Sequence, residues 1–184
     1  MATSYKIAQP EIIFQDVFKL KEVYELIHDW LNDEKYLDKR GGDQFMEKYY
    51  HERRIQNVGK EIRIWWRTFK NPTKYFQYKL DVDFFVIAMK DVDVVKDGKK
   101  ERANHGELQI KITGTLVVDP KNMLTDSVIL RPFHWIFERV WMKQERDYHY
   151  AYLLKKVNQL EGEVKTHLKI TNFMPQFKPY RPQY

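Results

Sequence analysis

Cysteine is missing from all 184 residues. Its absence excludes disulfides, thiol nucleophiles and thiolate zinc sites, and it fits a reducing compartment, so the cytoplasm is the expected location. Serine is confined to Ser4 and Ser127, and no GxSxG, HExxH, GxGxxG or P-loop pattern occurs. The common nucleophile, metalloprotease and phosphate-cradling signatures are therefore lacking. The histidines at 28, 51, 105, 134, 149 and 167 never stand at ligand spacing from one another, although Glu138 and Glu145 lie four residues from His134 and His149. Neither catalysis, a metal nor a cofactor is expected. The longest apolar run, 84–89, is far below the roughly 20 residues of a membrane helix. The first ten residues lack the basic and then apolar order of a secretory signal.

What is present is charge of both signs and many rings. Lysine and arginine outnumber acids 32 to 26, for a formal charge of +6, but the excess is dispersed along the chain rather than gathered in a run. Spread in this way, it reads first as a solubility setting, with an anionic partner as the alternative. Aromatic residues make up 15% of the chain, and rings in such a polar sequence belong in a core, a cavity or an interface.

Hydrophobic periodicity predicts an α+β domain over residues 1–170 and a Pro/aromatic-rich tail over 171–184. A short strand at 11–18 runs into a helix at about 19–32, with Leu20, Val23, Tyr24, Ile27, Trp30 and Leu31 on one stripe. The charged segment 47–55 is expected at a sheet edge. In 60–69 the residues alternate, Ile62, Ile64, Trp66 and Thr68 on one face and Arg63, Trp65, Arg67 and Phe69 on the other. Long strands are predicted at 75–95 and 99–119. Opposed residues must share a face, so Val82 should meet Ile112. A three-residue bulged turn at Lys96-Asp97-Gly98 would set that register; a bulge near 104–106 is the alternative.

A helix is expected over 132–168, about 55 Å if unbroken, with Gly162 the expected break. Its stripe runs through Phe133, Ile136, Phe137, Val140 and Trp141 and on through Tyr150, Leu153, Val157, Leu160, Val164 and Leu168. That length matches the strands, so the helix can lie along a long antiparallel sheet of four to five strands.

Two sets of residues are candidates for binding. Arg63, Trp65, Arg67 and Phe69, joined by Lys79 and Lys111 from neighbouring strands, form a basic-aromatic sheet face of the kind that stacks RNA bases. In the tail, Phe173, Phe177, Tyr180 and Tyr184 alternate with Pro175, Pro179 and Pro182, which suits an extended segment docking onto a neighbour in a homo-oligomer. The paired acids Asp81 and Asp83, and Asp91 and Asp93, read as the wet side of a strand.

The order strand, helix, long antiparallel strands and long C-terminal helix resembles the helix-grip arrangement of the START and polyketide-cyclase-like superfamily. The stretches EIRIWWR, MKDVDVVKDGKK and HGELQIKI are similar to uncharacterised archaeal proteins, which bring no function with them. The helix-grip resemblance implies an apolar small molecule held between sheet and helix, lined by Trp66, Tyr78, Phe84, Ile110, Phe137, Trp141 and Tyr148. The expectation from sequence is thus a non-enzymatic binding or assembly module that buries an apolar ligand or a protein partner, with RNA binding and tail-mediated assembly as alternatives.

Overall fold

A computed structural model describes residues 3–36, 46–96, 99–121 and 143–170, apart from the side chains of 95, 96 and 99. The expected features at 37–45, at 122–142 and in the tail 171–184 lie outside the described residues. The fold is α+β. Its elements are β1 (Thr3–Ala8), β2 (Glu11–Phe18), α1 (Leu20–Asp33), β3 (Glu47–Ile55), β4 (Gly59–Lys70), β5 (Phe76–Lys96), β6 (Lys99–Val118) and α2 (Lys143–His167).

All pairings in the sheet are antiparallel, in the order β1-β6-β5-β4-β3, and β2 also pairs with β6. Strand β1 was not expected from the sequence. It continues the line of β2 along the same edge of β6, interrupted at Gln9 and Pro10, so the sheet is five ranks wide. Proline has no N–H to give to the ladder, but its carbonyl still accepts from the Ile112 N–H at 3.0 Å. The charged strand β3 is an edge, as expected.

Val82 does pair with Ile112, but a different device sets the register. Lys96 pairs with Lys99, so two residues join the strands rather than three, and the register steps between Ile87 and Lys90. The correction comes from a bulge at Ala88 and Met89 opposite Gly106, the alternative site. Asp97 and Gly98 lie outside the described residues. Ala88 sits at φ 54°, a conformation with a steric cost for any residue with a Cβ. The bulged backbone crowds both neighbours. A Cβ on Gly59 would fall 2.7 Å from the Met89 carbonyl oxygen, and one on Gly106 would fall 2.8 Å from that of Ile87.

Both helices lie on one face of the sheet. Helix α1 buries Val23, Ile27, Trp30 and Leu31. Lys19 at its N-cap makes no capping bond, and the Asn104 side chain on β6 accepts from the Leu20 N–H instead, at 3.2 Å. At the other end Tyr36 N–H returns to Leu31 C=O and Lys35 N–H to Asn32 C=O, with Lys35 at φ 60°. This Schellman closure turns Tyr36 inward onto Trp30, ring centroids 6.0 Å apart. Helix α2 ends in the same way at Lys169 and Ile170.

Helix α2 buries His149, Leu153, Val157, Leu160 and Val164, so His149 takes the inward place expected for Tyr150. Gly162 does not break it. Val157 and Leu160 before the glycine and Val164 after it gain more from an unbroken helix than the roughly 1 kcal/mol a helical glycine costs. Gly114 on β6 lets α2 sit close, since a Cβ there would lie 2.7 Å from Val157 Cγ2.

Candidate functional site

The two faces of the sheet offer different chemistry. On the inner face Trp66, Tyr78, Phe84 and Ile110, four of the expected ligand-lining residues, are all buried. Trp66 is held edge-on by Tyr24 at 4.6 Å and Phe84 at 4.9 Å. These contacts, with that of Val157 over Gly114, fill the space between sheet and helices where they occur. Tyr148 does not join this lining: it is 65% exposed, because helix phase turns its neighbour His149 inward. Phe137 and Trp141 lie outside the described residues.

A polar cluster occupies one end of this inner layer. The Tyr78 hydroxyl hydrogen-bonds His149 Nδ1. The His149 ring lies 4.3 Å from that of Phe76, and its Nε2 stands 3.8 Å from Glu145. Burial holds the His149 pKa below its ordinary 6.5, with Glu145 opposing, so the ring is neutral near pH 7. Burial also raises the Tyr78 and Tyr36 hydroxyls above their usual range. The Tyr36 hydroxyl and Trp66 Nε1 are buried without a hydrogen-bond partner among the described residues. Lys156 ties α2 to the end of α1 through Glu34 at 2.5 Å.

The outer face brings the basic-aromatic set together. Strand pairing puts Glu11, Lys111, Asp83, Trp65 and Tyr49 in one row across the sheet. Flanking rows hold Ile13, Gln109, Phe85, Arg63 and His51 on one side, and Thr113, Asp81 and Arg67 on the other. Beyond these, Lys79 stands between Phe69 and Thr115. Several rings are exposed: Trp65 by 42%, Phe69 by 38% and Ile13, their aliphatic counterpart on β2, by 55%.

Two cations of this face are already engaged. Arg67 bonds Asp83 at 2.5 Å and Arg63 bonds Glu61 at 2.7 Å. The Arg63 guanidinium lies 4.7 Å from the Phe85 ring centre and that of Arg67 5.8 Å from Trp65. Lys111 has Asp83 and Glu11 as its cross-strand neighbours. Asp81, opposite Arg67, has its pKa raised by burial, while the Arg67 charge opposes that rise. Tyr49 stacks on Trp65 at 4.3 Å. Tyr49 was missed in the sequence because β3 has no clean alternation; its partner is set only by the β3–β4 register.

No known protein family matches the chain, and no curated protein does. Among solved structures, an uncharacterised protein from Rhizobium leguminosarum is similar at 6% identity, covering 86% of this chain and 99% of that one, with a TM-score of 0.17. A likeness at that score bears on neither fold nor function. Among the described residues no helix is long and apolar enough to cross a membrane, and no cluster of acidic, histidine or cysteine side chains could hold a metal ion.

Proposed function

We propose that this chain is a non-enzymatic assembly module that docks a protein surface on the outer face of its sheet. One observation carries the proposal: exposed rings share that face with cations whose carboxylate partners stand on the same face. At Arg67 and Arg63 RNA phosphates would first have to displace Asp83 and Glu61, and bases would meet a Trp65 ring already stacked on Tyr49. A protein surface needs neither displacement. It gains from covering the rings and leaves the Arg67–Asp83 and Arg63–Glu61 pairs intact.

The test is a photoreactive benzophenone side chain in place of Phe69, irradiated in cells expressing the full chain. A nuclease-resistant protein adduct is expected. A nuclease-sensitive adduct, or no intermolecular adduct from a folded chain, rejects docking of a protein there.

A small ligand between sheet and helices, as the helix-grip resemblance implies, is a second reading. Trp66 Nε1 and the Tyr36 hydroxyl, without a hydrogen-bond partner among the described residues, favour it, since a buried donor left unmade costs about 1–3 kcal/mol. A bound carbonyl or water would satisfy them. Native mass spectrometry of the purified chain decides: a mass equal to the bare chain removes this second reading.

A further inference from the structure

We infer that the protein docking on the outer face is a second copy of this chain, two sheets meeting face to face; this rests on the function proposed above. Three observations support it.

The first is charge. The outer positions of the five ranks carry Lys6, Arg53, Arg63, Arg67, Lys79 and Lys111 against Glu11, Glu61, Asp81, Asp83 and Glu107. The two signs nearly cancel and are interspersed, although the whole chain carries +6. A strongly charged partner of either sign finds little attraction on such a face. A second copy brings the same near-neutral mixture and meets no net repulsion.

The second is area. Five ranks about 4.8 Å apart span about 20 Å, and the rows from Glu107 to Thr115 on β6 add about 27 Å along the strands. Each copy then offers about 500 Å², and a pair buries about 1,000 Å², the lower bound for a specific interface. The pair should therefore form reversibly.

The third is the sheet's edges, which discourage association by strand addition. Strand β3 is lined with Lys48, Glu52, Arg53 and Arg54, and the opposite edge is interrupted at Pro10. Charged and proline-broken edges resist lateral pairing, so two copies meet through faces. Packed at about 10 Å with strands near −30°, the pair is isologous, and one substitution acts twice.

The test is sedimentation or light scattering of the purified full chain over a hundredfold concentration range, wild type beside Trp65→Glu and Ile13→Glu. Circular dichroism checks that each variant is folded. The two substitutions lie on opposite halves of the face, so one folded variant suffices. The expected result is a wild-type mass that rises with concentration toward twice 22.5 kDa, and variants that stay at the single-chain mass. A wild type monomeric throughout overturns the second copy while leaving the Phe69 adduct free to report another protein. A dimer that survives both substitutions places the contact elsewhere and overturns the inference.

Discussion

Trp65 and Trp66 are adjacent in sequence and identical in chemistry, yet one is 42% exposed and the other fully buried. The pleat of β4 alone separates them. Trp66 is held by Tyr24 of α1 and Phe84 of β5, whereas Trp65 rests on Tyr49 of the edge strand. The same ring thus serves fold stability on one side of the sheet and is left available for contact on the other. Substitution should separate these roles cleanly.

The largest expected effect is at Trp66. Trp66→Ala removes a ring enclosed on every side, and the loss should be about 3–5 kcal/mol. Trp65→Ala removes a half-exposed ring and should cost under about 1 kcal/mol. Urea denaturation of both variants checks the contrast; comparable losses would mean that the outer face is as much core as the inner.

Glycines on the two sides of α2 sharpen the comparison. A Cβ at Gly114 meets Val157 Cγ2 at 2.7 Å, whereas one at Gly162 meets nothing within 4 Å. Gly114→Ala should destabilise by about 1–3 kcal/mol through overpacking, and Gly162→Ala should stabilise by up to about 1 kcal/mol. Opposite shifts in thermal midpoint are the expected outcome.

The inner face also carries a pH dependence. The folded-state pKa of His149 is depressed by burial relative to 6.5, so the folded protein binds fewer protons there than the unfolded chain just below that value. Its contribution to stability is complete above about pH 6.5 and falls away as pH drops toward the folded-state value. Glu145, the acid beside the ring, weakens the shift without reversing it. Thermal midpoints measured from pH 5 to 8 should slope downward on the acid side in the wild type and flatten there in His149→Gln. An equal slope in both would exclude His149 as its source.

Much of this arrangement was legible in the sequence, because strict alternation in β4 and through Val86 in β5 fixes which side chains point inward. The parity argument requiring Val82 opposite Ile112 held for the same reason. The bulge that achieves it was harder to locate on β5, since Ala88 carries no glycine to advertise a positive φ. Strand β1 escaped notice because its alternation of half-buried and exposed positions runs over only six residues and buries none of them fully. The inward place of His149 was read one residue late: three-residue spacing from Tyr150 and four-residue spacing from His149 both reach Leu153, and only packing on Phe76 and Tyr78 chooses between them. That acids share the outer face was legible, since alternation places Asp81, Asp83 and Glu107 there, but which acid pairs with which arginine was not. Arg67 meets Asp83 only through the β4–β5 register, whereas Glu61 stands two residues from Arg63 on β4 itself.

That pairing gives the smallest effect and the finest test of the two-faced sheet. The Arg67–Asp83 pair is a third or more exposed on both sides, so solvent screening limits its worth to about 1 kcal/mol or less. Asp83→Asn should therefore cost a few tenths. Arg67→Ala should cost more, because it leaves Asp81 and Asp83 without their shared cation. The Asp81 carboxyl, already raised by burial and pulled down by Arg67, then rises further. Adding Asp83→Asn to Arg67→Ala should recover part of that loss by removing the like charge. A double-mutant cycle at low salt and again at about 0.5 M, where screening is short-ranged, should show the coupling shrink. If coupling stayed above about 2 kcal/mol at high salt, this pair would behave as buried, and the distinction between core face and contact face would fail at its centre.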